Sequence, residues 1–418
     1  MRSDMRMPRR RTLILGSLLA AIAIYGYHSM TTPGWQTIST TFMKNDKPYG
    51  GGDSRINGNE VISLKIADPV ITFKPVSQRK DPEYAEPTEA WMSNAAETLN
   101  RNTVSFFRGT IDGGLTRHFQ QPGQDAAWWY SKDWTTQYVS TDWMDYKRAE
   151  QDKTPAPHIT KLWRSRDGGK NWTQLDWPES RNIGQLLFLD PDRGYAVGWG
   201  PHVWRTADGG HTWKEITVPL QATEDDEPRK TFDGVDLGPD GTLRVAYYVP
   251  EEIADMQPES IVERLKWDSD AFEPDVKLPD QVVVSLQSEQ VPPDYAYSVY
   301  ALSRLGPPRN WKDLSDNGHR TGALSTWGNR GNQTVKQPHT FDARLMLDGL
   351  SVGKRGVLLV YATDASGEGA PRDMTFASKD YGKSWTETDD GITQGVYFDP
   401  ATNTQYGLYG YTLKKRLW

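Results

Sequence analysis

Residues 165–172 read Ser165-Arg166-Asp167-Gly168-Gly169-Lys170-Asn171-Trp172. The same pattern returns at 206–213 as Thr-Ala-Asp-Gly-Gly-His-Thr-Trp and at 378–385 as Ser-Lys-Asp-Tyr-Gly-Lys-Ser-Trp. All three stretches fit (Ser/Thr)-x-Asp-x-Gly-x-x-Trp. The shared positions are Ser165, Asp167, Gly169 and Trp172; Thr206, Asp208, Gly210 and Trp213; and Ser378, Asp380, Gly382 and Trp385.

Each shared position has a physical reason in a tight turn. The hydroxyl and the carboxylate can accept hydrogen bonds from nearby backbone N–H groups and close the turn. The glycine can adopt the positive φ that a tight hairpin requires, and the tryptophan offers a large apolar face at the start of the next strand. Apolar residues precede each copy, so each one predicts a strand, a turn and a second strand.

This motif is similar to the Asp-box, or BNR repeat, of sialidase-like and sortilin-like β-propellers. In those proteins the box is a structural hairpin on the rim of a blade, away from the central site. The resemblance therefore implies that Asp167, Asp208 and Asp380 stabilise the fold and take no part in catalysis.

The spacing of the boxes predicts the architecture. Asp167 and Asp208 lie 41 positions apart, and Asp208 and Asp380 lie 172 apart, close to four further steps of that size. A four-stranded propeller blade takes ~40–50 residues. We therefore expect an all-β chain that forms a single β-propeller of six to eight four-stranded blades, with seven favoured. A strand from one end of the chain should complete the blade begun at the other end.

Composition supports many short strands. The chain of 418 residues contains 17 Trp, 19 Tyr, 37 Gly and 27 Pro, a mixture of strand formers and turn formers that suits helices badly. It contains no Cys, which excludes disulfides, thiol catalysis and thiolate metal sites.

The N-terminus predicts export. Five arginines fall within the first eleven residues, and the apolar run Leu13 to Tyr27 follows directly. No A-x-A-like cleavage site comes after it, so we favour an uncleaved signal anchor over a removed signal peptide. Residues 1–30 would then form a membrane-anchor helix in a bacterial inner membrane. Residues 31–418 would form the propeller domain in the periplasm.

The charge of the chain argues against nucleic acid as a partner. The whole chain carries −7, and residues 1–30 carry five Arg and one Asp, which leaves −11 for the remainder. An acidic exported domain has no general field that would attract nucleic acid.

The chemistry expected of an enzyme is hard to find. The resemblance to sialidases implies an arginine triad, a Tyr–Glu nucleophile pair, an Asp acid/base and a Phe-Arg-Ile-Pro motif. The nearest string here is Phe106-Phe107-Arg108-Gly109, which lacks Ile-Pro. The seven His form no H-x-x-x-H pair, and one carboxylate per box is too few for calcium. We therefore predict no metal, no cofactor and no catalysis, with a sialidase-like glycoside hydrolase as the alternative.

One aromatic stretch departs from the repeat. Residues 110–117 read Thr-Ile-Asp-Gly-Gly-Leu-Thr-Arg, a near-copy of the box that lacks only the Trp. Its Asp112 lies 55 positions before Asp167, a longer interval than the next step. Extra length in a propeller usually lies in loops that reach ligands. Clustered Trp and Tyr suit recognition of a protein or a sugar. The opposing interpretation is blade core, since Ser131-Lys132-Asp133 is itself a degraded box. The candidate binding residues are Trp128, Trp129, Tyr130, Trp134, Tyr138 and Trp143.

These observations combine into one functional hypothesis. We expect a membrane-anchored periplasmic propeller that binds a protein or glycan partner without catalysis. An immunity protein against a secreted toxin and an assembly factor are two specific roles of this kind.

Overall fold

Seven four-stranded antiparallel sheets make up the chain in a computed structural model. The structure describes residues 36–39, 52–57, 60–67, 103–111, 114–123, 126–145, 148, 158–178, 182–198, 202–219, 232–249, 259–290, 296–305, 321–329, 335–364, 372–388, 394–409 and 412–418. Six of these sheets are built from strands that follow one another in sequence, and the seventh combines the first strand of the chain with the last three, so each sheet is one blade of a propeller. The predicted seven-bladed β-propeller is therefore confirmed.

The strands, in chain order, begin with β1 (Gln36–Ser39), which belongs to the last blade. Blade 1 comprises β2 (Gly52–Asn57), β3 (Glu60–Ala67), β4 (Thr103–Thr110) and β5 (Gly114–Pro122). Blade 2 comprises β6 (Trp128–Tyr130), β7 (Gln137–Met144), β8 (His158–Ser165) and β9 (Thr173–Leu175). Blade 3 comprises β10 (Gln185–Phe188), β11 (Gly194–Val197), β12 (His202–Thr206) and β13 (Lys214–Thr217).

The second half of the ring has the same plan. Blade 4 comprises β14 (Gly234–Leu237), β15 (Leu243–Val249), β16 (Glu259–Leu265) and β17 (Glu273–Pro279). Blade 5 comprises β18 (Gln281–Ser288), β19 (Ser298–Leu305), β20 (Gly322–Gly328) and β21 (Lys336–Phe341). Blade 6 comprises β22 (Leu345–Val352), β23 (Leu358–Asp364), β24 (Arg372–Ser378) and β25 (Thr386–Thr388). Blade 7 comprises β26 (Gln394–Asp399), β27 (Thr404–Tyr409) and β28 (Thr412–Leu417), together with β1.

The two ends of the ring are joined within blade 7. β1 pairs antiparallel with β28, with Gln36 opposite Lys415, and so supplies the outermost strand of that blade. This pairing removes an open sheet edge, which would otherwise template association with another chain. The predicted closure by a terminal strand is confirmed.

The hydrophobic core lies between neighbouring blades. One cluster, for example, joins Leu302 and Leu324 of blade 5 to Leu347 and Leu358 of blade 6. Other clusters join blades 3 and 4, blades 2 and 3, blades 4 and 5, and blades 1 and 2. Strand residues alternate between the two faces of a sheet, so every blade contributes to the cores on both of its sides.

Each Asp-box is a closed hydrogen-bonded turn between the third and fourth strands of a blade. In the first box the Ser165 hydroxyl donates to Asp167 Oδ1 at 2.9 Å and accepts from Gly169 N at 2.8 Å. Asn171 N donates to the same carboxylate at 2.9 Å, and Trp172 Nε1 donates to Gly169 O at 2.8 Å. The second and third boxes repeat these bonds.

These bonds account for the ionisation of the box carboxylates. Burial raises the pKa of Asp167 and of Asp208, but hydrogen bonds from the turn together outweigh it and lower both pKa values to about 2. Hydrogen bonds from Ser384 and Ser378 lower the pKa of Asp380 to about 2. The three aspartates therefore serve their own turns, as the resemblance implied.

Arginines in the third strands connect successive blades. Arg108 Nη1 donates to Gly168 O of blade 2 at 3.0 Å, and Arg164 Nη1 donates to Gly209 O of blade 3 at 2.6 Å. Arg205 Nη1 donates to Trp267 O of blade 4 at 2.6 Å. In these three cases the turn between the third and fourth strands of one blade is thus held by an arginine from the third strand of the blade before it.

The propeller has two faces with different connections. We call the box face the side where first strands join second strands and third strands join fourth strands, because the three Asp-boxes lie there. The opposite side, which we call the loop face, carries the connections from second to third strands and from blade to blade. The longest intervals between strands, 68–102, 218–233 and 306–321, all join strand ends on the loop face.

The predicted anchor at residues 1–30 lies outside the described residues. Among the residues that the structure does describe, no helix has the length and apolar character required to cross a membrane.

Candidate functional site: an arginine–aromatic cluster at the propeller axis

Two of the six predicted binding residues lie in the interior. Trp134 is 4% exposed and Tyr138 is fully buried. The Tyr138 ring stacks on Phe188 with centroids 4.2 Å apart, and its hydroxyl lies 2.8 Å from Pro191 O and 2.9 Å from Gly209 O. Burial raises the pKa of Tyr138, so its phenol stays protonated. Both rings are core side chains with no surface to offer a partner.

Two more residues of the set are half-buried and lie apart. Trp129 packs between blades 2 and 3, with its ring 5.0 Å from that of Phe188. Trp143 lies near the loop-face end of β7, where Lys161 Nζ is 5.6 Å from its ring. The six predicted residues therefore do not form one continuous surface.

The structure brings the remaining two, Trp128 and Tyr130, together around Arg55. Arg55 Nε donates to the Tyr130 hydroxyl at 2.6 Å. Its guanidinium carbon lies 5.9 Å from the Trp128 ring, 5.7 Å from the Tyr130 ring and 4.5 Å from the Tyr397 ring. Tyr397 stacks in turn on Tyr406, with centroids 5.9 Å apart. We call Arg55, Trp128, Tyr130 and Tyr397 the axial cluster.

The topology explains why these side chains meet. β2, β6 and β26 are the first strands of blades 1, 2 and 7, and first strands line the axis, where those of adjacent blades contact one another. A side chain from blade 1 that reaches both neighbouring blades must lie beside this axis. Tyr130 ends β6 and Arg55 is close to the end of β2, so the cluster lies toward the box face.

The axial cluster is suited to recognition. Arginine is always charged, and it stacks on aromatic rings while its remaining N–H groups can bind a carboxylate. Burial raises the pKa of Tyr397, so its phenol stays neutral and acts through its ring and its hydrogen-bonding hydroxyl. Trp, Tyr and Arg are the residue types enriched at the energetic centres of protein interfaces.

A separate polar group lies near the loop face between blades 2 and 3. The buried Asp142 carboxylate accepts from the Thr160 hydroxyl at 2.9 Å and from Asn182 Nδ2 at 2.5 Å. His158 Nδ1 lies 3.4 Å from the same carboxylate. The acceptors of Asp142, near the end of β7, are thus engaged by the first residues of β8 and by the connection that leads into β10.

One further carboxylate near the loop face has a strongly shifted pKa. Asp233 precedes β14, and burial raises its pKa to about 6, opposed only by a hydrogen bond from Tyr248 N at 2.8 Å. Burial therefore favours the protonated form of this carboxyl group. Across the described ranges, no three His, Asp or Glu residues converge to hold a metal ion.

Two residues of the axial cluster, Arg55 and Tyr397, carry no signal in the sequence. They are 342 positions apart and meet only because the ring closes. The sequence around Tyr397 predicts a strand, but it does not indicate that Tyr397 contacts Arg55.

Comparison with known proteins gives similar folds at low sequence identity. No protein-family model and no curated protein sequence matches the chain. A structure of YCF48 bound to D1 peptide is 11% identical over 77% of this chain and 90% of that one, with a TM-score of 0.45. A NanB sialidase from Streptococcus pneumoniae is 9% identical over 79% of this chain and 67% of that one, with a TM-score of 0.43. A PL25 ulvan lyase is 10% identical over 91% and 93%, with a TM-score of 0.48.

Proposed function

We propose that this seven-bladed Asp-box propeller is a non-catalytic binding protein that recognises a protein or glycan partner through the axial cluster. The observation that carries the proposal is the Arg55 guanidinium of blade 1, held against the rings of Trp128 and Tyr130 from blade 2 and of Tyr397 from blade 7. Each of the four side chains is half-buried, so each keeps part of its surface accessible.

The physical argument rests on preorganisation. Rings and a guanidinium fixed by a rigid scaffold lose little side-chain entropy when a partner binds, which improves affinity. The Tyr130 hydroxyl accepts from Arg55 Nε and so orients the guanidinium. A partner would then meet a guanidinium and aromatic rings that are already in position.

The proposal includes a location for the propeller in the periplasm. The basic and apolar segment at residues 1–30 motivates a signal anchor, with residues 31–418 on the periplasmic side of a bacterial inner membrane. A partner would then be a periplasmic or envelope protein or glycan. Neutralisation of a secreted toxin and assembly of a membrane complex are both roles that such a binding protein can perform.

The test uses the tagged full chain, purified in detergent from the membranes of the cells that produce it. Arg55→Lys keeps the charge but loses the planar stacking on the rings, and Tyr130→Phe removes only the orienting hydroxyl. We expect both variants to retain a co-purifying partner about fivefold less than wild type, which corresponds to ~1 kcal/mol. Lys132→Ala, an exposed change in the adjacent turn, is the control. Equal retention by all four proteins, with unchanged melting temperatures, would contradict the proposal.

The alternative function is a glycoside hydrolase, and Asp233 is the observation that favours it. A general acid of a glycosidase needs a raised pKa and a second carboxyl group across the sugar. Asp233 meets the first requirement. Turnover of any fluorogenic glycoside that is abolished by Asp233→Asn would replace the binding proposal with this one.

A further inference from the structure

A second surface on the box face, in blades 6 and 7, combines exposed cations with an exposed aromatic ring. The turn between β22 and β23 presents Lys354 and Arg355, and the third Asp-box presents Lys379, Tyr381 and Lys383. All five side chains are exposed. We call these five residues the blade 6 basic surface.

The backbone of this surface is unusual. Within the described part of the chain, five residues other than glycine have a positive φ: Trp134, Asp280, Arg355, Tyr381 and Asn403. Three of them lie together here, with φ values of 57° for Arg355, 63° for Tyr381 and 54° for Asn403. Asn403 Oδ1 accepts from Lys354 N at 2.8 Å, and Tyr381 N donates to Gly356 O at 3.0 Å.

Tyr381 is the least expected of these residues. The corresponding positions in the other two boxes are Gly168 and Gly209, and a bulky residue is rarely found at positive φ. In those boxes an arginine of the preceding blade packs so close that a Cβ atom would lie 1.9 Å from Arg108 Nη1 or 2.8 Å from Arg164 Nη1. The Tyr381 ring instead lies over Gly356 and is 48% exposed. Strain concentrated at an exposed aromatic residue indicates function.

The cations of the surface have no carboxylate partner among the described residues. In the part of the chain that the structure describes, none of Lys354, Arg355, Lys379 and Lys383 forms an ion pair. Lys379 Nζ lies 5.9 Å from the Trp418 ring, and the neighbouring Leu417 is 72% exposed. Tyr381 and Leu417 are the two exposed large apolar side chains among the described residues.

We infer that the blade 6 basic surface binds an acidic segment of a protein partner. Four cations complement carboxylates, while Tyr381 supplies an aromatic anchor among them. A narrow segment fits better than an anionic bilayer, since the four cations of this surface lie in two neighbouring turns of one blade. The inference does not depend on the axial cluster.

The test measures binding of a fluorescein-labelled peptide of alternating Asp and Glu around one central Trp to the full chain at low salt. We expect Tyr381→Gly and Lys383→Glu each to weaken binding about fivefold or more, and ~0.3 M NaCl to weaken it further. Lys170→Glu is the matched control, because Lys170 occupies the position of Lys383 in the first box. It should leave the affinity unchanged.

Tyr381→Gly also separates binding from stability. Glycine is the residue that the other two boxes have at this left-handed position, so the variant should melt no lower than wild type while it loses the peptide. Equal affinity of wild type and both variants, or no binding of the peptide, would overturn the inference. Binding to vesicles of equal parts phosphatidylglycerol and phosphatidylcholine, without binding of the peptide, would overturn it in favour of a membrane surface.

Discussion

Replacing Asp167 by alanine tests whether the Asp-boxes hold the fold together. The Asp167 carboxylate accepts from the Ser165 hydroxyl at 2.9 Å, Lys170 N at 3.1 Å, Asn171 N at 2.9 Å and Asn171 Nδ2 at 2.6 Å. In the variant, water can take the place of the carboxylate as acceptor for the N–H groups of Lys170 and Asn171, because both residues are exposed. The net free energy lost with each hydrogen bond is therefore modest. We expect Asp167→Ala to lower the free energy of unfolding by ~1–3 kcal/mol.

Ser165→Ala provides a comparison within the same turn. Ser165 is 1% exposed, and its hydroxyl accepts from the buried Gly169 N–H at 2.8 Å. Water cannot reach that donor, so its loss should cost ~1–3 kcal/mol, at least as much as Asp167→Ala. The control is Asp176→Ala, an exposed change beyond β9 that should shift the free energy by less than ~0.5 kcal/mol.

Thermal and urea unfolding followed by tryptophan fluorescence would measure all three variants. Because hydrogen bonds lower the pKa of Asp167 to about 2, its stabilisation is present above the unfolded pKa near 4 and is lost as pH falls toward 2. The difference in free energy of unfolding between wild type and Asp167→Ala should therefore disappear as the pH falls from about 4 to about 2. An Asp167→Ala variant as stable as Asp176→Ala at pH 7 would refute the structural role of the box.

Three further predictions concern the core, the buried acid and the N-terminus. Trp134→Ala should lower the free energy of unfolding by ~3–5 kcal/mol, because Trp134 is 4% exposed; a smaller loss than for the control Lys132→Ala would place its ring at the surface. Burial raises the pKa of Asp233 to about 6, so its contribution to stability is greatest below pH 4 and falls by ~3 kcal/mol as pH rises to 6. Asp233→Asn should remove that decline. The prediction would be wrong if the free energy of unfolding changed equally between pH 4 and pH 7 in wild type and in Asp233→Asn. Protease added to spheroplasts should digest residues 31–418, whereas a protected chain would disprove export.

The boxes made the fold predictable. Their eight-residue pattern contains every group that closes the turn, and their spacing gives the size of a blade, so the seven-bladed ring followed from residues such as Ser165, Asp167 and Trp172. The near-copy at Thr110 to Arg117, which lacks the Trp, likewise marks the turn between the third and fourth strands of blade 1.

The candidate site was less predictable, because it depends on which face each strand residue occupies. Residues that are adjacent in the sequence face different blades: Trp128 faces blade 1, while Trp129 faces blade 3. Tyr138 was predicted as a binding residue, yet β7 is buried on both of its faces there, which places Tyr138 in the core. Arg55 and Tyr397 meet only through ring closure. Arg164 and Arg205, which link neighbouring blades, each directly precede the hydroxyl residue of a box and so have a recognisable position in the sequence. Their acceptors lie in the next blade and could not be predicted from that position.

Photo-cross-linking from two positions of blade 2 tests the central claim of partner binding at the axial cluster most directly. A photoreactive amino acid at Lys132 lies on the box face, two residues after Tyr130, and the same amino acid at Arg148 lies in the loop-face connection; both positions are exposed. In living cells we expect a partner adduct from position 132 that disappears when Arg55→Lys is added, and none from position 148. An adduct from position 148 alone, or one from position 132 that survives Arg55→Lys undiminished, would contradict binding through the axial cluster.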